Sequence, residues 1–341
     1  MASIILVIAL FFLVYTIALV MRVYELSWKT NPEKEYLTTE KDNNIQGFLM
    51  LLFGIGLLVS FAWMMISWGG LLLPQPSSEH GVEIDNLMDI SMGLIIVMFF
   101  IVQPVLFWFA FKYRGIKGVK AIFYAHNDKL EFAWTIVPAI ALAVLIIYGL
   151  TTWSNTMNPK TDEDPMVIEL YAQQFKWTAR YSGEDNTLGY ANIRLIDGAN
   201  TLGVDTNHIH SGDDFIATEI HLPVGKPVLF KFRSQDVIHS AYFPHFRAQM
   251  NCVPGMETHF EFTPTVTTKD IRKDPEVVAK VDRINSIRAE KGLEKYEYDY
   301  ILLCNKICGS AHYNMQMNII VETQEEYDAW VKEQKTLSQT L

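Results

Sequence analysis

Four stretches of this chain carry no charged side chain: residues 4–21, 43–78, 90–111 and 132–153. Each is long enough to cross a bilayer as a helix, which needs roughly 20 apolar residues. One such run fits a buried helix of a soluble protein. Four in the first half of a chain do not, so membrane-spanning helices are predicted. Composition agrees: half of the residues are hydrophobic and only 19% are charged, a high apolar share for a soluble domain. The formal net charge of −10 argues against a phosphate-rich partner, so no nucleic acid is expected.

The connecting segments differ in sign. Arg22, Lys29, Lys34 and Lys41 follow the first run, and Lys112, Arg114, Lys117, Lys120 and Lys129 follow the third. Glu79, Glu83, Asp85 and Asp89 separate the second from the third, with no Lys or Arg among them. Excess Lys and Arg mark the cytoplasmic side. The N-terminus and everything beyond Trp153 are therefore predicted outside. The first run lacks a basic leader and an obvious small-x-small cleavage site, so a retained helix is expected rather than a signal peptide.

From about Met166 the periodicity changes. "MVIELYAQQFKWTARY", "EIHLPVGKPVLFKFRS" and "METHFEFTPTV" are short, rich in β-branched and aromatic residues, and separated by Gly, Pro, Asn and Asp. They predict an antiparallel β-sandwich or barrel, with "YILLC" and "NMQMNIIVE" as late strands. Two helices are expected within and after it. Asp274 can cap the first, Pro275 suits its first turn and Gly292 its stop, while Val277, Val281, Ile284 and Ile287 share a face. Thr323 and Glu326 form a capping box for the second. The polar segment 185–214 reads as a long surface loop. The expected organisation is an extra helix and cytoplasmic loop at 1–44, a second transmembrane helix at 45–78 and a two-helix hairpin at 79–160. An extracytoplasmic β domain at 161–322 follows, with a helical insertion at about 269–297, then a terminal helix at 323–341. There is no internal repeat, P-loop, dinucleotide fingerprint or Ser-His-Asp arrangement.

The chemistry concentrates in "CNKICGSAHYNMQM", which begins at Cys304. Only one other cysteine, Cys252, occurs in the chain, so a disulfide framework is excluded. Three residues separate Cys304 from Cys308, where zinc ribbons and thioredoxin-like sites usually have two. Thiolate, thioether and imidazole together favour copper over magnesium or calcium. A mononuclear blue-copper site has no use for the second Cys. Two thiolates on one loop can instead bridge two copper ions, each with its own histidine. One is His312. The other must come from an earlier strand, and His239 in "SQDVIHSAYFPHF" is the candidate. A Cys304–Cys308 disulfide is the plain alternative in an oxidising compartment, but it leaves His239, His312 and Met315 unexplained. Cys252, without a partner, reads as a buried thiol.

These elements together resemble subunit II of the haem–copper respiratory oxidases. The family's D-V-x-H-S stands here as Asp236-Val237-Ile238-His239-Ser240. Its C-x-x-x-C-G-x-x-H-x-x-M stands as Cys304, Cys308-Gly309, His312 and Met315. "VPG" from Val253 to Gly255 and "EFAWTIVPAI" at the start of the fourth run also fit. The likeness covers roughly residues 83–322; the two N-terminal helices and the helical insertion lie outside the usual two-helix plan. It implies N-terminal transmembrane helices followed by an all-β cupredoxin-like sandwich with a helical insertion. It also implies a binuclear copper A centre, bridged by Cys304 and Cys308. His239 and His312 would cap one ion each, with Met315 and the backbone carbonyl of Lys306 as weak axial ligands. The implied function is subunit II of a proton-pumping terminal oxidase, cytochrome c oxidase. It accepts electrons from a c-type cytochrome and passes them to haem in the catalytic subunit, where oxygen becomes water. With no C-x-x-C-H motif, this chain leaves the haem to its partner. Implied partners are the catalytic haem–copper subunit I, subunit III and a free or complex-bound cytochrome c. The extra helices add a respiratory supercomplex. The implied location is the bacterial inner membrane, multi-pass, with the C-terminal domain on the periplasmic side.

The same likeness assigns further roles. Glu131 would serve proton uptake from the cytoplasm, although an acid is also favoured at any helix start. "QQFKWTARY" resembles the family's Q-W-x-W: Trp177 matches the second tryptophan, and Phe175 replaces the first, which is credited with electron acceptance. Both equally suit a sandwich core. Asp236 keeps the family's docking acid. Lys306 stands where many relatives carry a Glu that binds magnesium; an ammonium cannot ligate, so no magnesium role is expected for its side chain. Two rivals remain: a quinol oxidase subunit II, which keeps the fold without the copper ligands, and a membrane-tethered copper carrier, for which two bridging thiolates and Glu131 would be idle.

Overall fold

The structure, a computed structural model, describes residues 2–29, 39–158 and 164–340. Four long helices come first: α1 (Ala2–Lys29), α2 (Glu40–Trp68), α3 (Glu79–Lys112) and α4 (Asp128–Met157). Among the described residues, three helical stretches are long and apolar enough to cross a membrane: Glu40–Leu71, Glu79–Lys112 and Asp128–Met157. Large apolar side chains such as Phe53, Ile95 and Ile140 stay exposed on them. That is the condition of a helix whose solvent is lipid, since water would penalise it. α1 carries the first uncharged run as a helix; its membrane crossing rests on the sequence.

The second uncharged run is not helical throughout. α2 stops at Trp68, Gly69–Leu71 make a 3-10 turn, and Pro74 and Pro76 have no N–H to continue a helix. Ser77 and Ser78 end fully buried. The Ser77 N–H donates to His245 O at 2.7 Å, and Ser78 Oγ donates to Phe246 O at 2.7 Å. The tail of this run therefore belongs to the β domain, where sequence predicted membrane helix up to residue 78.

The chain divides into two compact units, Met1–Ser67 with Val97–His126 and Trp68–Ile96 with Asn127–Leu341. In the first, Phe107 lies over Gly54, where a Cβ would collide with its ring. Phe53 meets Phe107 edge-on at 5.7 Å. The Arg114 Nε–H donates to Asn44 Oδ1 at 2.6 Å.

The second unit holds ten strands: β1 (Met166–Gln173), β2 (Lys176–Tyr181), β3 (Phe215–Ala217), β4 (Ile220–Pro223) and β5 (Val228–Ser234), then β6 (His239–Phe243), β7 (Ala248–Cys252), β8 (Thr258–Phe262), β9 (Tyr300–Cys304) and β10 (Gln316–Glu322). They form two five-stranded sheets, ordered β3-β2-β1-β5-β8 and β4-β10-β9-β6-β7. The all-β sandwich after apolar helices is as expected. Its pairing is not purely antiparallel, because β1 runs parallel to β5 and β4 parallel to β10. Parallel neighbours need a crossover rather than a hairpin, and the intervening chain passes through the other sheet. Between the sheets lies an aromatic core in which Phe230, Phe243, Phe246, Phe262 and Tyr300 are buried, with ring centroids 4.9–5.6 Å apart.

The helical insertion follows β8 as α5 (Thr268–Ile271) and α6 (Pro275–Glu290). Asp274 caps α6 by accepting the Glu276 and Val277 N–H groups at 2.9 and 3.3 Å, and Gly292 takes φ +64° just beyond its end. The Thr323–Glu326 capping box opens α7 (Gln324–Glu333), and α8 (Leu337–Thr340) ends the described chain. Segment 185–214 is largely strand-free but is not all surface. Leu202 and Val204 are buried beside Tyr171 and Leu337. Asp214 accepts the Gly189 N–H at 3.0 Å and an Arg180 Nη1–H at 3.1 Å inside the fold. Arg180 Nε also sits 2.7 Å from Glu169 Oε2, and Arg233 Nη1 is 2.9 Å from Glu169 Oε1.

Candidate metal centre

Strand register builds the site. β6 and β9 pair antiparallel with Ala241 opposite Cys304, which sets His239, at the start of β6, across from position 306. The Asn305 N–H continues that ladder to Ser240 O at 2.9 Å. β9 and β10 also pair antiparallel, and the Cys304 N–H donates to Met315 O at 3.1 Å. A single loop from Asn305 to Asn314 thus leaves and rejoins one sheet at neighbouring positions, so Cys308 and His312 fold back over Cys304.

The donors converge. Ligand atoms of His239, Cys304 and Cys308 all lie within 4.8 Å of one another. Cys304 Sγ is 3.8 Å from His239 Nδ1, 3.8 Å from Cys308 Sγ and 3.2 Å from Lys306 O. Cys308 Sγ is 3.6 Å from His312 Nδ1 and 3.8 Å from Met315 Sδ. His239, Met315 and Cys308 are buried and His312 is half-buried, whereas the Lys306 side chain is exposed. Each ring presents Nδ1 to a sulfur. The sulfur separation is far beyond the roughly 2.05 Å of a disulfide, and both cysteines are free. Burial, then the neighbouring Cys304, pushes the Cys308 thiol up to about 11. Such a thiol gives up its proton at neutral pH to a soft cation rather than to water. The donor set fits copper: two thiolates, two imidazoles, one thioether and one carbonyl, with no hard carboxylate at the centre.

Asp236 sits behind His239. Its Oδ1 receives the His239 Nε2–H at 2.8 Å and the Val237 N–H at 2.7 Å, and its Oδ2 receives the Gln174 N–H at 2.7 Å. Partial burial works against the charge, but these donors hold the carboxyl below the usual carboxylate range. A ligating imidazole is commonly held this way, its second nitrogen on a carboxylate. Trp177 is buried, its ring edge-on to His239 at 6.1 Å and its Nε1–H directed to Met315 O at 3.4 Å. Phe175 is half-exposed over Gly309, where a Cβ would come within 2.7 Å of the Phe175 ring.

Glu131 is not part of this cluster. It lies in the first turn of α4, whose C-terminal end leads to β1, so a 30-residue helix separates the two, or about 45 Å at 1.5 Å per residue. Glu131 Oε1 accepts the Asn127 N–H at 3.2 Å while Asn127 Oδ1 accepts the Leu130 N–H at 3.2 Å. His245 is held by Tyr298, with Nε2 2.7 Å from the hydroxyl. Burial, then Arg247 and Lys280, lowers it to about 4. Cys252 is fully buried and free. Gln174 is the contact the sequence did not single out. Its Nε2–H donates to Cys308 O at 2.5 Å. The signal was its place next to Phe175 in "QQFKW".

The family described as "Cytochrome C oxidase subunit II, transmembrane domain" matches residues 66–152. "Alternative cytochrome c oxidase subunit 2" of Bradyrhizobium diazoefficiens is 29% identical over 293 residues, covering 85% of this chain and 92% of the relative. "Cytochrome c oxidase subunit 2" of Thermostichus vulcanus is 25% identical over 311 residues, covering 82% and 83%. "Probable quinol oxidase subunit 2" of Staphylococcus aureus is 26% identical over 220 residues, covering 64% and 51%.

Proposed function

We propose that this chain, which is similar over residues 66–152 to the transmembrane domain of cytochrome c oxidase subunit II and over most of its length to subunit 2 relatives, is such a subunit, and that its β domain is the electron port of a proton-pumping haem–copper oxidase. It accepts electrons from a c-type cytochrome outside the membrane and delivers them to haem in the catalytic subunit. The observation that carries this reading is the convergence of six donor groups around Cys304 and Cys308. When bound, a copper pair shares one electron over both ions and needs little rearrangement to take or release it. Cys304, Cys308, His239 and His312 through Nδ1, Met315 and the Lys306 carbonyl are the groups that would hold the pair. A sandwich that fixes these side chains before an electron arrives lowers the reorganisation required. Asp236 orients His239, while Phe175 and Trp177 lie on the approach to the buried sulfurs. The location on this reading is multi-pass in a bacterial inner membrane, with the β domain periplasmic.

The family also contains quinol oxidase subunits, and the full donor set favours the copper-bearing branch. Metal analysis and paramagnetic resonance of the purified full-length protein decide between them. Two coppers per chain and a signal shared over both are expected. One copper with a mononuclear spectrum, or none, overturns the assignment.

Glu131 is proposed for proton uptake at the cytoplasmic end of α4. Glu131→Gln keeps an oxygen to accept the Asn127 N–H but cannot carry a proton. Turnover and proton uptake of the assembled oxidase are expected to fall at least severalfold with the copper signal intact, in line with the roughly 10²–10⁴-fold contribution of a positioned proton carrier. Unchanged proton uptake would leave Glu131 as a helix cap only.

A further inference from the structure

The ligands all stand on the sheet ordered β4-β10-β9-β6-β7 or on its loops, yet the tip that touches them comes from the other sheet. β1 ends at Gln173 and β2 begins at Lys176, so Gln174 and Phe175 form the turn between them. From this tip the Gln174 backbone N–H reaches Asp236 Oδ2 at 2.7 Å, and Asp236 Oδ1 holds His239 Nε2 at 2.8 Å. The Gln174 side chain reaches in the other direction, its Nε2–H on Cys308 O at 2.5 Å. One residue therefore grips both ligand-bearing segments.

We propose that Gln174 is a positioning residue that fixes the distance between the Cys308 loop and His239 across the mouth of the metal site. The proposal rests on the copper-pair reading and adds to it. The contact is not incidental packing. Gly309, beside Cys308, has φ +145°, and a Cβ there would lie 2.9 Å from Gln174 Nε2 as well as 2.7 Å from Phe175 Cζ. The loop is shaped to admit the tip, and a bare Cα is what lets it approach. Trp177, two residues on from Phe175, repeats the grip further in, with Nε1–H toward Met315 O and its ring against His239. Without the Gln174 amide, the Cys308 carbonyl loses its hydrogen bond to the tip of the other sheet. Solvent can replace the lost hydrogen bond, because Gln174 is exposed, but it cannot replace the fixed length.

The test uses full-length copper-loaded protein and reads copper release to a chelator together with the paramagnetic resonance pattern. Gln174→Ala is expected to release copper about tenfold faster, the size usual for an outer contact to a metal ligand, and to broaden or split the shared signal. Gln174→Glu keeps the bulk and the backbone N–H but sets a carboxylate against the Cys308 carbonyl, so release is faster again. A residue that merely fills space would leave Gln174→Glu, which keeps the bulk, like wild type. If wild type holds the copper pair and both variants match it, this proposal alone falls. If wild type holds no pair, the site reading falls and takes the proposal with it.

Discussion

Cys308→Ser is expected to abolish the shared-electron signal and to lower bound copper from two per chain to one or fewer. Among the donor atoms, Cys308 Sγ is the one that joins the Cys304 half of the cluster to the His312 and Met315 half. It is 3.8 Å from Cys304 Sγ on one side, and 3.6 Å from His312 Nδ1 and 3.8 Å from Met315 Sδ on the other. A serine hydroxyl is hard, does not ionise near neutral pH and sits closer to the backbone, so it cannot bridge two soft ions. Cys304 would keep His239 and the Lys306 carbonyl, enough for at most one weakly held metal. Metal analysis gives the count, and paramagnetic resonance shows whether the electron is shared. Cys252→Ala is the control. Its thiol is fully buried on β7 opposite His239, and burial pushes it up to about 12, so it should leave both readouts unchanged. Retention of two coppers and a shared signal in Cys308→Ser would refute the bridging role.

Arg180→Met is expected to destabilise the β domain by about 3–5 kcal/mol, the usual cost of removing one partner from a buried ion pair. That is a large share of a domain stability on the order of 5–15 kcal/mol. Arg180 is the cation between Glu169 and Asp214, and all three are at most 2% exposed. Glu169 would keep Arg233. Asp214 would keep only the Gly189 N–H, and its Oδ1 already has no partner among the described residues. Burial raises the Asp214 carboxyl to about 6, with Arg180 opposing. A folded value above the unfolded one means that the folded form holds the proton more tightly. This contribution is full below about pH 4 and is lost as pH rises through 6. At pH 5 the carboxyl is already largely neutral and misses Arg180 less. The destabilisation should therefore be greater at pH 8 than at pH 5 when unfolding of the full chain in detergent is followed. A loss under about 1 kcal/mol, equal at both pH values, would mean that water or another cation serves the cluster.

Much of this was legible because it is local. Charge gaps marked α2, α3 and α4. Asp274 with Pro275, and Thr323 with Glu326, marked helix starts that the structure caps as expected. The spacing from Cys304 to Met315 brought its donors together, because one loop closes between two paired strands. What the sequence hid was non-local or weakly patterned. β3 is three residues long, and β6 opens on the polar pair His239 and Ser240 and stops before Pro244, so neither shows a clear two-residue alternation. The parallel pairing of β1 with β5 depends on chain far outside any window. Gln174 and Cys308 are 134 positions apart, and nothing in either neighbourhood announces the contact. Asp236 reads as a docking acid, and nothing in its neighbourhood announces that its oxygens also accept from His239, Val237 and Gln174.

The strand directions carry one more consequence. β6 begins, β9 ends and β10 begins beside the sulfurs, and the Gln174 tip meets them there. α4, the Ser77–Ser78 segment, α5, α6 and α7 all join the sandwich at the other ends of its strands, beside Met166, Phe262, Tyr300 and Glu322. The domain has a conservative pole and a permissive one. Chain can be lengthened at the permissive pole, where α5 and α6 lie between β8 and β9, without changing the register of the donor loop. One residue added between Cys304 and Met315 would shift every donor on the loop. The two ends can therefore change independently, with new surface at one and the same set of donor side chains at the other.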